Sequence, residues 1–424
     1  MKSFIDKIFL RSNNLSHISQ NVKDLTTNTP SNKIFKAINS YSSESEIRYV
    51  GGCIRKIINR EEVDDIDLAT NLEPRKVCEA LRKNNIRYFE SGIEHGTVTA
   101  IEDNYTFEIT TLRKDISTDG RHAKVEFSKD WKADASRRDF TINSIYSDKD
   151  GNLFDPFNGK QDLENGVVNF IGEVDKRIKE DYLRILRYLR FFLNYSRHQH
   201  NPENVRKIKI NINGILKLSK ERILDELRKI FKPQILEKLS KDKISLEIFL
   251  MIFPEFKNIE VFSKLNSIQK DLLKEKDFIF LLSLMIIDET DNADYFLYKF
   301  NISKKDQRRI KSIDNFFKKK INSKSFAKNN MDKVFYYQGK EVVLDILNYK
   351  MIKFKKIDNS LKELINYYEK KITPVMPVNA DFLMKKYKFS EGKHLGDKLR
   401  IIEDQWVKNN FKISDEDLDN IIKS

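Results

Sequence analysis

Glycine is distributed unevenly along this chain, and this asymmetry limits what the chain can fold into. Nine of the 13 glycines lie at or before Gly172, and the other four are Gly214, Gly339, Gly392 and Gly396. Glycine supplies the turns that strands need, whereas long helices disfavour it. The first part is therefore typical of a sheet-containing domain and the remainder of helices. We expect an α+β fold in which a small mixed sheet precedes an all-helical part.

Alternating apolar residues in the first part predict five strands. Asp103-Asn104 is a plausible hairpin turn between the third and the fourth of them. The predicted strands are Ile47 to Val50, Asp65 to Ala69, Gly96 to Glu102, Tyr105 to Leu112 and Lys124 to Phe127.

From about Asp175 onward, apolar residues recur at helical spacing, and prolines mark places where helices can end. The clearest predicted helices are Ile178 to Leu193, Lys220 to Phe231, Ser245 to Ile252 and Lys270 to Asp288.

A chain of 424 residues is too long for one ordinary core, so we expect several domains. We divide it into an N-terminal extension (1–45), a head (46–172), a helical neck (173–232) and a helical body and tail (233–424). The extension is polar and rich in Ser and Asn, and its role is not predicted.

The charge balance indicates a polyanionic partner. Lys and Arg number 78 against 64 Asp and Glu, which gives a formal net charge of +14. Such an excess favours binding to phosphate-rich molecules through neutralisation and counterion release.

No segment has the pattern of a secreted or membrane-spanning protein. The start, Met1 to Leu10, lacks the apolar core of a signal peptide. The longest apolar run, Phe278 to Ile287, is shorter than the roughly 20 residues that span a bilayer. Cys53 and Cys78 form no Cys-x-x-Cys pair, so neither a disulfide framework nor a zinc knuckle is expected. We expect a soluble, cytoplasmic protein that does not contact a membrane.

A glycine turn followed by two carboxylates suits a site that handles nucleotides. Gly51-Gly52 lies between a predicted strand and a helical segment, and Asp65 and Asp67 follow one residue apart. In a strand, alternation places both carboxylates on one face, and a divalent metal is the usual partner of such a pair. A metal-free turn is the alternative for each part taken alone.

A third carboxylate is expected on a neighbouring strand. Alternation puts Glu108 on the face opposite Phe107 and Ile109, so it faces the same cleft as the aspartates if its strand runs adjacent to theirs. A solvated strand glutamate is the alternative.

Ser136 precedes two adjacent arginines, Arg137 and Arg138, in a position suited to capping a helix that starts there. Arginines side by side at a helix start repel each other unless an anion lies between them, so phosphate binding is one interpretation. Surface salt bridging is the other.

The helix near Glu180 has an arrangement that matches the edge of certain bases. Arg184 lies on its polar face with Asp181 at the edge of that face, opposite an apolar stripe. Asp181 is suited to accept from the exocyclic amine of cytosine or adenine while Arg184 donates to the ring nitrogen; uracil and guanine would repel both contacts. An ordinary amphipathic helix is the alternative.

Together these residues resemble the class II tRNA nucleotidyltransferases, the CCA-adding enzymes, and their close relatives, the bacterial poly(A) polymerases. The resemblance covers about residues 46–232 in family order. It comprises Gly51 to Arg55, Asp65 to Asp67, Glu94 to Thr97, Phe107 to Arg113, Thr118 to His122, Arg137 to Asn143, Glu180 to Arg187 and Leu218 to Ile223.

The resemblance implies a polymerase-β-like nucleotidyltransferase head with Mg²⁺ as the metal. It implies that Asp65 and Asp67 bind the metal ions, with Glu108 as a supporting catalytic carboxylate. The nucleotide-binding set that it implies is Gly52, Arg55, Arg138, Asp139, Asp181, Arg184, Arg187 and Arg190.

Residues 115–124, with Asp115 and Arg121, resemble the family's flexible loop, which is associated with the switch from C to A addition. One position departs from the family pattern: Lys56 follows Arg55 where the family usually has Asp.

The expected function is untemplated addition or repair of the 3′-terminal CCA of tRNA from CTP and ATP, by two-metal nucleotidyl transfer with release of pyrophosphate. Two alternatives remain open at this point. One is a bacterial poly(A) polymerase of the same family, and the other is a non-catalytic RNA-binding relative. The oligomeric state is not predicted.

Overall fold

The structure is a computed structural model that describes residues 16–118, 123–319, 321–353 and 359–423. The chain forms two compact units. One contains the sheet, runs to Ile230 and includes Lys243–Ile252; the other consists of Phe231–Asp242 and the chain from Phe253 onward. The expected α+β fold, a mixed sheet followed by helices, is confirmed.

Seven strands of the first unit form one mixed sheet in the order β3-β4-β5-β2-β1-β8-β9, and β6 and β7 form a separate ribbon. Within the large sheet β2 and β5 are parallel and the other neighbours are antiparallel. The strands are β1 (Ile47–Val50), β2 (Ile66–Thr70), β3 (Arg87–Gly92), β4 (Thr97–Glu102), β5 (Tyr105–Thr111), β6 (Arg113–Thr118), β7 (Ala123–Phe127), β8 (Tyr146–Ser147) and β9 (Leu153–Phe154).

All five predicted strands are present, and each bound differs from its prediction by at most one residue. The hairpin at Asp103-Asn104 is confirmed, because both residues have positive φ, 47° and 66°, as a type I′ turn requires. The pattern does not predict β3, β6, β8 or β9. The last two contain two residues each, which is too short for alternation to be detected.

The helices cover most of the remaining described residues. They are α1 (16–28), α2 (Ser31–Asn39), α3 (Gly52–Ile58), α4 (Pro74–Lys83), α5 (Trp131–Ser136), α6 (Gly159–Asn165), α7 (Val174–Glu180), α8 (Leu183–Tyr195), α9 (Pro202–Asn211), α10 (Lys220–Ile230), α11 (Pro233–Lys241), α12 (Lys243–Ile252), α13 (Ser267–Lys274), α14 (Phe278–Ile286), α15 (Asn292–Lys299), α16 (Lys304–Lys318), α17 (Lys328–Gln338), α18 (Lys340–Lys353), α19 (Asn359–Lys370), α20 (Ala380–Tyr387), α21 (Lys393–Lys408) and α22 (Asp415–Lys423).

Two predicted helices are each divided in two at an aspartate. Asp181 is extended (φ −155°, ψ 104°) between α7 and α8, and its carboxylate accepts the Leu183 N–H at 3.1 Å. Asp277 likewise separates α13 from α14 and accepts the Phe280 N–H at 2.9 Å. Both carboxylates bond to backbone N–H groups that have no partner in a first helical turn, so a new helix begins there. The predictions of one continuous helix at each place are wrong.

The described part of the N-terminal extension packs on the sheet. The buried Tyr49 hydroxyl of β1 is within hydrogen-bond distance of Thr26 Oγ1 (3.0 Å) and Ser31 Oγ (2.6 Å). Its ring lies 4.8 Å from the Phe35 ring. Residues 1–15 lie outside the described ranges.

In the second unit, aromatic side chains form much of the core, with Phe253, Phe256, Phe296 and Phe300 packed against one another. The apolar run of the sequence is α14, whose residues from Ile279 to Ile286 are all buried. None of the helices in the described ranges has the length and apolar character needed to cross a bilayer.

Candidate active site

Two carboxylates lie opposite each other on neighbouring strands of the sheet. β2 and β5 run parallel, and Asp67 pairs with Glu108 in their register. Paired residues of adjacent strands share a face, so the predicted adjacency of the two strands is confirmed. Asp65 directly precedes β2, so the prediction that this strand starts at Asp65 is wrong by one residue.

The carboxylates interact electrostatically. Burial is the largest cause that raises the pKa of Asp67 above its ordinary value, and the charges of Glu108 and Asp65 raise it further. Arg138 and Arg55 act in the opposite direction without cancelling the effect. Carboxylates that repel one another in this way favour a bound cation.

The glycine turn brings the start of α3 next to these carboxylates. Gly51 has φ 70° and ψ −115°, a conformation that a side chain would strain. A Cβ placed on Gly52 would lie 3.6 Å from Asp67 Oδ2, so this backbone runs directly beside the carboxylate.

A chain of hydrogen bonds links α3 to α8 through two polar residues. The buried Arg55 donates to Asn143 Oδ1, and Asn143 Nδ2 donates to Asp139 Oδ1 at 2.9 Å. Arg187 Nε donates to Asp139 Oδ2 at 2.6 Å. Burial alone would raise the pKa of Asp139, but the charge of Arg187 and the hydrogen bonds from Arg187 and Asn143 together outweigh it and hold that pKa well below its usual range.

The two adjacent arginines follow a helix instead of starting one. Ser136 is the last residue of α5, so the prediction that it caps a new helix is wrong. Asp134 Oδ1 accepts from Arg137 Nη2 at 2.7 Å, and Asp134 Oδ2 accepts from Arg138 Nη2 at 3.2 Å. Burial would raise the pKa of Asp134, but the two arginines and the Tyr146 hydroxyl lower it to about 2.

An anion does lie between these arginines, and it is a protein carboxylate. Sequence reasoning missed Asp134, although its spacing of three and four residues from Arg137 and Arg138 is the signal for such a pairing.

Comparison with known proteins identifies the family. A family model described as the poly A polymerase head domain matches residues 47–169. The human mitochondrial CCA tRNA nucleotidyltransferase 1 is 34% identical over 387 residues, which cover 89% of this chain and 86% of that protein. The chain belongs to the CCA tRNA nucleotidyltransferase family. The CCA-adding enzyme of Lactobacillus johnsonii is 28% identical, over 79% of this chain and 81% of its own length.

Solved structures of CCA-adding enzymes share the fold. The crystal structure of the Bacillus stearothermophilus enzyme in complex with CTP has a TM-score of 0.69 at 19% identity, covering 92% of this chain and 95% of that chain. The Thermotoga maritima enzyme complexed with tRNA has a TM-score of 0.57 at 17% identity, covering 92% and 93%.

The two residues assigned to the base in this CCA tRNA nucleotidyltransferase family member both have protein partners. Asp181 Oδ2 accepts from Arg222 Nη2 at 2.8 Å. Arg184 Nη1 donates to Glu180 Oε2 at 2.6 Å and to the Arg177 carbonyl at 2.7 Å. Arg184 is only 9% exposed, so the polar face on which the sequence places it is covered by other parts of the protein at this residue.

The two arginines assigned to the nucleotide pocket are also paired in this nucleotidyltransferase. Arg187 bonds to Asp139, as described above, and Arg190 Nε donates to the buried Glu226. Their guanidinium groups lie 5.5 Å and 4.1 Å from the centroid of the Phe191 ring. Each is therefore held by one carboxylate and one aromatic face.

The segment assigned to the family's flexible loop is described only in part. Asp115 lies in β6 with its backbone opposite Val125 of β7. Arg121 lies outside the described residues.

Nucleotidyltransferases of this kind generally use divalent metal ions. Within the described ranges no three His, Cys, Asp or Glu side chains converge as a metal-binding group. A magnesium ion commonly takes only one or two protein carboxylates and completes its shell with water and substrate phosphates. Asp65 and Asp67 supply the oxygen donors that fit such an ion, and Glu108 lies beside Asp67 on the neighbouring strand.

Proposed function

We propose that this protein adds or repairs the 3′-terminal CCA of tRNA, using CTP and ATP without a nucleic-acid template. The tRNA 3′-hydroxyl attacks the α-phosphate, the bond to the β-phosphate breaks, and pyrophosphate leaves. The observation that carries this proposal is the register of β2 and β5, which puts Asp67 opposite Glu108 beside Gly52. Membership of the family supports it.

Asp65 and Asp67 would hold Mg²⁺, with Glu108 as the supporting carboxylate. When bound, the metal would neutralise phosphate charge and favour deprotonation of the attacking hydroxyl. Burial raises the pKa of Asp67 most, and repulsion by Glu108 and Asp65 raises it further; this repulsion supports the assignment, because a cation relieves it.

The triphosphate and sugar would be held by Gly52, Arg55, Arg138 and Asp139. Arg138 is the best supported, because its charge acts on Asp67 and its guanidinium is fixed by Asp134. A guanidinium fixed in this way binds phosphate with little loss of rotamer freedom. Asp139 would contribute indirectly, because its carboxylate holds the side chains of Arg187 and Asn143 by hydrogen bonds.

Asp181 and Arg184 would read the base. Asp181 would keep its hydrogen bond from Arg222 and accept a further one from the base, because a carboxylate can accept several hydrogen bonds. Arg184 would exchange its hydrogen bond to Glu180 for one to the base. Arg187 and Arg190 would keep the pocket positively charged. Asp115 and Arg121, in the segment that resembles the flexible loop, would act in the switch from C to A addition.

We assign tRNA binding to the helical body and tail over residues 233–424, with the head over 46–172 and the neck over 173–232. The net charge of +14 supports contact with the RNA backbone. Cys53 and Cys78 are buried and unpaired, which supports a reducing compartment such as the cytoplasm.

The test uses a tRNA transcript that lacks its last three nucleotides. With CTP and ATP together, the sequenced product should end in CCA, and with CTP alone it should stop after two cytidines. Efficient incorporation of UTP would contradict the assignment. Long adenosine tails from ATP on a generic RNA would establish a poly(A) polymerase instead. An Asp65→Asn variant with full activity would indicate a non-catalytic role for the aspartates.

A further inference from the structure

The connection between α3 and β2 is strongly acidic, and a lysine is paired with it. From Glu61 to Asp67, five of the seven side chains are carboxylates. Lys56 of α3 forms an ion pair with Asp64 in this segment. This lysine stands where the resemblance leads one to expect aspartate, so the charge is reversed at the end of the glycine motif.

In the parts of the chain that the structure describes, the Asp65 carboxylate makes neither a hydrogen bond nor an ion pair. Asp65 also lies just outside the strand ladder. Asp67, by contrast, is held within the ladder opposite Glu108. The placement of Asp65 therefore depends on the backbone of its neighbours, and Asp64 is the residue directly before it.

Lys56 holds the acidic connection at two points. Its backbone carbonyl accepts the Glu61 N–H at 2.8 Å, and its ammonium group binds the Asp64 carboxylate. The Glu61 carboxylate accepts from the Tyr195 hydroxyl at 3.2 Å, which fixes the start of the segment. The lysine itself lies on a short helix that is anchored by the buried Arg55.

We propose that Lys56 is a positioning residue that ties Asp64 to α3 and thereby keeps Asp65 beside Asp67 for the metal ion. This rests on the proposed function, since it gives the geometry of the two aspartates a role in nucleotidyl transfer. The Asp64 side chain is 68% exposed, and exposed ion pairs contribute little to global stability. Loss of the pair therefore acts on the placement of Asp65 and leaves folding intact.

The test is a double-mutant cycle of Lys56→Met, Asp64→Asn and the double variant. Each single change should lower kcat by about 10-fold and raise the Mg²⁺ concentration for half-maximal rate several-fold. The double variant should be no worse than either single variant, because both remove the same contact. The KM for CTP should stay within about twofold. Lys56→Arg keeps the charge and should restore most of the activity.

Two measurements without turnover complete the test. Mn²⁺ binding in the absence of tRNA, followed by electron paramagnetic resonance, should weaken in Lys56→Met. Amide hydrogen exchange should accelerate over residues 61–66. Lys33→Met is the matched control, because it removes another ion pair of the same unit, Lys33 to Glu102 at 2.6 Å, and should leave every readout unchanged.

The outcomes separate the two proposals. If the wild-type protein adds C and A while Lys56→Met keeps its kcat and its Mn²⁺ affinity, the positioning role is overturned and the proposed function stands. Additive losses in the double variant also overturn it. If the wild-type protein transfers no nucleotide, the proposed function fails, and Mn²⁺ binding and hydrogen exchange still decide whether Lys56 places Asp65.

Discussion

Arg222 Nη2 of α10 lies 2.8 Å from Asp181 Oδ2, so the carboxylate proposed to read the base is oriented by a second helix. The other oxygen, Oδ1, accepts the Leu183 N–H at the start of α8. Asp181 is therefore held on both sides before any nucleotide binds. A carboxylate that is oriented in advance loses less entropy when it accepts from a base.

Arg222→Ala should weaken the recognition of the base more than the chemical step. We expect the KM for CTP and ATP to rise by about 10-fold and kcat to change by less than about threefold. Misincorporation of UTP should increase, because a loosely held carboxylate discriminates less against a carbonyl. Competition between CTP and UTP on tRNA lacking its last three nucleotides measures this.

The control for this variant is Arg206→Ala, which breaks an exposed pair with Glu203 at 2.7 Å on α9. It should leave both KM values and the nucleotide preference unchanged. An Arg222→Ala protein with wild-type selectivity would show that the Arg222 contact has no part in reading the base.

Asp67→Asn should abolish activity and stabilise the fold at neutral pH. Activity should fall by at least about 100-fold, because a metal ligand is lost. Burial, Glu108 and Asp65 raise the pKa of Asp67 in the folded state, so its charged form opposes folding above that pKa. As the pH falls through the folded pKa, Asp67 takes up a proton, and the free-energy cost of its charge to folding disappears.

Melting temperatures of the variant and the wild type at pH 7 and pH 4, measured without divalent metal, test whether the charge of Asp67 destabilises the fold. The variant should melt higher than the wild type at pH 7, and the difference should shrink at pH 4. Asp225→Asn, on the exposed surface of α10, is the control and should show no such trend. A variant that melts lower than the wild type at pH 7 would contradict the repulsion inferred for the three carboxylates.

Five of the strands can be predicted from the local sequence pattern, but the pairing of the strands cannot. Alternation correctly predicts that Glu108 is exposed while its neighbours Phe107 and Ile109 are buried, because this property depends on one strand alone. The parallel register that puts Glu108 opposite Asp67 joins strands about 40 residues apart in sequence. Register of that kind depends on tertiary packing, which no short window contains.

The surroundings of the arginines in the site likewise depend on tertiary packing that a local sequence pattern does not contain. Amphipathic spacing places Arg184 on a polar face, yet the structure buries it against Glu180 and the backbone carbonyls of Arg137 and Arg177. A helical pattern identifies the apolar face and says nothing about which carbonyl groups approach the polar one. The ion pairs of Asp134 could have been predicted, because Asp134 precedes Arg137 and Arg138 by three and four residues, the spacing of neighbours on one helix face.

Asp139→Asn should destabilise the protein, because it removes the negative charge of the carboxylate that accepts a hydrogen bond from Arg187. Removing one member of a fully buried pair costs on the order of 3 kcal/mol, and the loss here should be smaller because the Arg187 side chain is 29% exposed. Arg187 holds the pKa of Asp139 well below its ordinary value, so this stability is present above the unfolded pKa. It is lost only as the pH falls through the much lower folded pKa.

The variant should therefore melt lower than the wild type at pH 7 and at pH 5, and the two should converge only in strong acid. Thermal unfolding across that range measures the difference. Glu203→Gln, which breaks the exposed pair with Arg206, should match the wild type throughout. Equal melting temperatures at pH 7 for Asp139→Asn and wild type would show that the Asp139–Arg187 pair does not stabilise the fold.

Removal of divalent metal should stop catalysis without unfolding the chain. In the described ranges no three metal-ligating side chains form a group around which the fold is built, and Asp67 is fixed by its strand pairing with Glu108. EDTA should therefore abolish nucleotide addition and leave the circular dichroism spectrum unchanged, and Mg²⁺ should restore the rate. With CTP present, Mg²⁺ should also raise the melting temperature, because the ion offsets the repulsion at Asp67. A chain that unfolds in EDTA would indicate a structural metal ion. Full activity in EDTA would show that the reaction does not need a divalent metal.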